Sequence, residues 1–78
     1  MSKDFPLNGG TVTVKDLTLG DLKQMQRLIK GKDESEYPTI MIGHCCGISV
    51  DEFDAIPITS LHEVEEISNY IGNAIGGE

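Results

Sequence analysis

Apolar residues recur along this chain with two different periods. Over residues 11–15 they alternate: Val12 and Val14 fall on one side while Thr11, Thr13 and Lys15 fall on the other, the pattern of a half-buried strand. Asn8-Gly9 stands just before this run, and both residues tolerate the positive φ that a tight hairpin turn requires. A small β-hairpin over residues 4–16 is predicted. Pro6 confines its first strand to a sheet edge, so the hairpin must lean on helices or on another subunit.

Beyond residue 18 the spacing lengthens to three and four. Leu19, Leu22, Met25, Leu28 and Ile29 form one stripe, with Lys23, Gln24, Gln26, Arg27 and Lys30 on the wet side, which predicts a helix over 19–30. Thr18 and Asp21 give it a box-like start, and Gly31 stops it. Residues 32–36 read as a polar linker, and Pro38 suits the first turn of a helix over 38–46. Ile40, Met41, Ile42, Cys45 and Cys46 make that helix apolar on most sides, as a central helix would be, and Gly47 suits a left-handed stop.

Ser49 with Glu52, and Ser60 with Glu63, both match the S-x-x-E capping box, in which hydroxyl and carboxylate satisfy backbone N–H groups left free by the first helical turn. They predict a brief helix over 50–55, which sends Phe53 and Ile56 into the core before Pro57 breaks it, and a last helix over 61–74. Leu61, Val64, Ile67, Ile71 and Ile75 form the stripe of that last helix, and Gly72, Gly76 and Gly77 loosen its end. The predicted fold class is mainly α: a short N-terminal β-hairpin followed by three to four short helices in one small domain spanning 1–78.

Length and charge narrow the roles open to such a domain. A chain of 78 residues supports one core, and domains this small hide only about 60% of their unfolded surface, so a protein partner or a homodimer is expected. The unpaired hairpin edge offers N–H and C=O groups to a second copy. A net charge of -7 argues against nucleic acid, whose binding rests on clustered Lys and Arg, and favours solubility and steering toward basic protein surfaces. No apolar run approaches the ~18 residues of a membrane span, and Met1-Ser2-Lys3-Asp4 leads into Pro and Gly rather than a signal-peptide core, so a cytoplasmic protein is expected. Cys45 and Cys46 are adjacent and diverge by about 100° on a helix, which disfavours a disulfide between them and fits a reducing compartment.

The candidate chemistry is thin. His44, Cys45, Cys46 and His62 have metal-ligand types but lack C-x-x-C or H-x-x-x-H spacing, so buried thiols and a surface or capping histidine are expected instead. A nucleophilic thiol needs a positioned base and an electropositive setting, which an acidic chain does not favour. Asp51-Glu52 and Glu65-Glu66 read as solvated faces, Gly9-Gly10 as a turn without the phosphate-loop pattern, and Gly76-Gly77-Glu78 as a frayed end. A non-enzymatic protein without a cofactor or metal is expected.

The order of these signals resembles the small tail assembly chaperones of long-tailed bacteriophages. The resemblance is carried by Thr18, Gly20, Asp21 and Leu22 at the start of the first helix, by Gly47, Ile48, Ser49, Glu52 and Phe53 at the central step, and by Ser60 and Leu61 at the last helix; it spans residues 11–71. It implies a protein that binds the tape measure protein, keeps it soluble and helps the tail tube protein polymerise around it in the host cytoplasm, and that is absent from the mature virion. Many relatives also have a longer, frameshifted form, whereas this chain has a short first segment and ends soon after its last helix. An acidic helical domain with more apolar helix face than it can bury suits such work. Met25, Leu28, Tyr70 and Ile71, on the first and last helices, are the expected client contacts.

Two other readings stay open. Thr59-Ser60-Leu61 is similar to the D-S-L attachment site of acyl carrier proteins, although Asp is replaced by Thr59, only one helix follows, and the Asn8-Gly9 hairpin has no counterpart there. A small acidic adaptor or inhibitor of a host protein shares the physics of the chaperone.

Overall fold

The computed structural model describes residues 2–76. Strand β1 (Lys3–Leu7) and strand β2 (Gly10–Val14) pair antiparallel with Phe5 opposite Val12 and Leu7 opposite Gly10. Asn8 and Gly9, at φ 52° and 80°, make the two-residue turn that the Asn-Gly signal predicts. Helices α1 (Leu19–Ile29), α2 (Tyr37–Cys46), α3 (Val50–Asp54) and α4 (Leu61–Gly76) follow. The mainly helical fold with an N-terminal hairpin is therefore present, with four helices. Helix α4 runs to Gly76 rather than ending near Ala74, and the expected loosening at Gly77 and Glu78 lies outside the described residues.

Helix α2 is central: it packs against α1, α3, α4 and β2. Its Ile42 and Cys45 are buried with Met25 of α1, with Val64, Ile67 and Ile71 of α4, and with Phe5, Leu7 and Val14 of the hairpin. One face of a two-stranded sheet is thereby covered by helices, which is what keeps an isolated hairpin from fraying in water. Two hydrogen bonds fasten it: Lys15 N–H donates to the Cys45 carbonyl at 3.2 Å, and Asn8 N–H donates to Glu63 Oε1 at 3.0 Å. Phe5 and Tyr70 meet edge to face at 5.3 Å, with the Lys3 ammonium over both rings.

The caps divide into those decided locally and one that is not. Thr18 Oγ1 accepts from Asp21 N–H while the Asp21 carboxylate accepts from Thr18 N–H, and Ser49 and Glu52 do the same for α3. The box expected at Ser60 and Glu63 does not form. Residues Ile58–Ser60 already make a 3-10 turn that runs into α4, so the extended residue before the helical backbone is Pro57, which has no side-chain acceptor. Ser60 lies inside the helical path, and Glu63 turns to Asn8 instead. In the opposite sense, the expected polar linker contains a 3-10 turn, Glu34–Glu36, closed by Asp33 accepting from Ser35 N–H and Glu36 accepting from Asp33 N–H.

Two glycines are dictated by geometry. Gly47, at φ 71°, ends α2 in the left-handed conformation and donates its N–H to the Gly43 carbonyl. A Cβ on Gly43 would sit 2.9 Å from the Ile48 carbonyl oxygen, so the loop after α2 folds back onto a spot that only glycine leaves open.

Candidate functional site

Not every apolar side chain finds a place in this core. Leu19, Leu28, Val50, Ile58 and Leu61 stay exposed, from 39% for Leu28 to 84% for Ile58. Four of them stand at the start of an element. Leu19 is the first residue of α1, Val50 the first of α3, and Leu61 the first of α4, positions where the rest of the element has yet to turn toward the core. Ile58 follows Pro57 in the short 3-10 turn. Four of the five are gathered rather than scattered. Leu61 lines a groove of about 580 Å³ with Pro38, Phe53 and Val64, and joins Ile58 in a neighbouring hollow of about 280 Å³ that shares Phe53 and Val64. Leu28 and Val50 line a third hollow with Ile40, which shares Ser35 and Thr39 with the first and Asp54 with the second. The result is one continuous, partly apolar surface across the outer sides of α2, α3 and α4, a larger feature than singly exposed apolar residues make.

The charges along this surface are mostly of one sign. Exposed Glu36, Asp54 and Glu65 line it, with Lys32 the one cation among the lining residues. Ser68 Oγ also lines the main groove, where it is shielded and has no hydrogen-bond partner among the described residues. The arrangement offers no nucleophile paired with a base. It can bind apolar surface within a negative rim.

The expected client contacts are not brought together. Met25 is 2% exposed and Ile71 fully buried, because α2 covers the inner sides of α1 and α4. Tyr70 is half-buried against the hairpin, and of the four only Leu28 reaches the groove surface. Among the residues carrying the family resemblance, Phe53 and Leu61 line the groove; Thr18, Asp21, Ser49 and Glu52 act as caps, and Gly47 as the stop. Val50, Ile58 and Val64 were missing from the expected site. The signal for Ile58 was available: it stands beside Pro57 outside any helical stripe, an apolar residue with no core position waiting for it.

The candidate chemical residues have structural partners. His44 Nε2–H donates to Asp21 Oδ1 at 2.9 Å, and Lys15 Nζ lies 3.1 Å from the same oxygen. Thr18 N–H, then His44 and Lys15, hold the Asp21 carboxyl well below the ordinary carboxylate range. Cys45 Sγ lies 3.7 Å from Met25 Sδ, and burial pushes its thiol up to about 11; burial raises Cys46 as well. His62 is exposed on α4. Among the described residues no three His, Cys, Asp or Glu side chains converge as a metal site would, and no helix is long and apolar enough to cross a membrane. Ser60 is 6% exposed, a poor presentation for a hydroxyl that a modifying enzyme must reach.

Comparison with known proteins leaves this geometry to stand by itself: no protein-family model, no curated protein and no solved structure matches the chain.

Proposed function

We propose that this protein is a non-enzymatic tail assembly chaperone of a long-tailed bacteriophage, binding the tape measure protein and assisting tail tube assembly in the host cytoplasm. The observation that carries the reading is the gathering of four large exposed apolar side chains into one acid-rimmed surface on a small domain. Such a surface shields apolar segments of a client, while a net charge of -7 keeps the complex dispersed. The resemblance in Thr18, Gly20, Asp21 and Leu22, and again from Gly47 to Phe53, supplies the phage context. The outer edge of either hairpin strand gives a route to a homodimer.

The test is a tagged pull-down from phage-infected or prophage-induced cells, with intact-mass analysis of the bait. Recovery of a long helical tail protein with bait of unmodified mass supports the chaperone. A host protein as the sole partner replaces it with an adaptor or inhibitor, and a phosphopantetheine adduct on Ser60 replaces it with a carrier protein.

A further inference from the structure

We infer that the groove between α2, α3 and α4 is the docking site of an amphipathic client helix whose apolar stripe is flanked by Lys and Arg. The inference rests on the client-binding reading above and gives it a place and a chemistry.

The walls decide the conformation of the occupant. No strand residue lines the groove, and the backbone of its helical walls is internally hydrogen-bonded, so an extended peptide would find no sheet edge to join. A helix brings its own backbone bonds and presents apolar side chains at i, i+3 or i+4, and i+7 along one line. Phe53, Leu61 and Val64 are shared by the main groove and its neighbouring hollow, so successive side chains on such a line have two connected places to enter. The main groove, at about 580 Å³, lies within the range of cavities that bury a ligand.

The rim decides the charge of the occupant. Glu36, Asp54 and Glu65 lie along the surface against Lys32 alone, so cations beside the apolar stripe are attracted and carboxylates repelled. Helix α1 of a second copy is cationic too, through Lys23, Arg27 and Lys30, but most of its stripe is spent within its own fold: Met25 is buried, Leu22 and Ile29 are half-buried, and of the two exposed members Leu19 stands at the helix start and Leu28 is itself a wall of the third hollow. A separate helix fits where α1 does not.

The experiment titrates the isotope-labelled full chain with two synthetic helical peptides that share one leucine stripe, one flanked by Lys and the other by Glu, and follows backbone amide shifts and affinity. Binding of the Lys-flanked peptide with shifts centred on Phe53, Leu61, Val64 and Ser68 is expected, with the Glu-flanked peptide at least about tenfold weaker. Leu61→Gln and Glu65→Lys alter exposed side chains, so thermal unfolding should stay near wild type while each weakens the Lys-flanked peptide, Leu61→Gln by about tenfold. Absence of binding, equal affinity for the two peptides, shifts outside the groove, wild-type affinity in both variants, or self-association through the groove each overturns the inference. Its failure is separable from that of the chaperone reading. If the peptides behave as expected but cells yield no tail protein, the groove stands and the phage role falls; if the tape measure protein is recovered equally by wild type and both variants, the role stands and the groove falls.

Discussion

His44 Nε2 reaches Asp21 Oδ1 across 2.9 Å and so fastens the last turn of α2 to the capping box that starts α1. The same carboxylate accepts from Thr18 N–H at 2.9 Å and lies 3.1 Å from Lys15 Nζ, which makes one side chain the meeting point of two helices and the exit of the hairpin.

Acid should therefore weaken the fold in part through Asp21. Its carboxyl is depressed in the folded protein, so the stability it contributes is present above the unfolded value of about 4 and is lost as pH falls below it. Glu52, lowered chiefly by its bond from Ser49 N–H, adds in the same direction. Urea unfolding from pH 7 to pH 3 should show falling stability, and Asp21→Asn should be less stable at pH 7 with a shallower loss toward acid. Parallel curves for wild type and variant would remove Asp21 from the acid response.

The two serines that look alike in sequence should separate in unfolding experiments. Ser49→Ala removes a formed cap and should cost about 0.5–2 kcal/mol, whereas Ser60→Ala, inside a 3-10 turn with no cap to lose, should change stability by less than about 0.5 kcal/mol. Equal losses in chemical denaturation would mean that the second box forms after all.

Gly43→Ala should destabilise by about 1–3 kcal/mol, although alanine is the better helix former. The added methyl would meet the Ile48 carbonyl at 2.9 Å, and backbone held by the Gly47 stop has little room to retreat. A variant as stable as wild type in thermal unfolding would show that the loop after α2 can shift.

Alkylation should report the burial of the paired thiols. With Cys45 pushed up to about 11 and Cys46 also raised, little thiolate is present at pH 8, and the native protein should react with iodoacetamide much more slowly than the urea-unfolded chain. Peptide mass mapping should find half-buried Cys46 modified before buried Cys45. Rapid labelling of Cys45 in the native protein would place it outside the core.

What was legible in the sequence was whatever a few neighbouring residues decide. The Asn8-Gly9 turn, the Thr18 and Ser49 boxes and the Gly47 stop are settled within one turn of chain, and all four appear where expected. The Asp33-Glu36 pair carried the same pattern but was hidden inside a polar run that read as linker. The Ser60-Glu63 pattern fails because the chain already turns at Ile58, which leaves Ser60 inside the helical path, and Glu63 accepts instead from Asn8 N–H far back in the chain. Periodicity grouped Met25 with Leu28 on one stripe, yet which of them α2 covers depends on how the helices cross. The groove was least visible, because Val50, Ile58 and Leu61 reach it from element starts while Leu28, Phe53 and Val64 come from within helices, a grouping that appears only once the packing is known.

The bond from Asn8 to Glu63 also bears on how the chain is made. The hairpin precedes the helices in the chain, but Phe5 and Leu7 of β1 pack into a core that α4 helps to build, and the tip of its turn is held by a side chain of α4 itself. A growing chain can form its turns and short helices in order of synthesis, yet it cannot close this core until α4 emerges. Until α4 is made, the apolar faces of the hairpin and of α2 lack their cover, so the earlier elements of this fold wait for a helix that follows all of them in the chain.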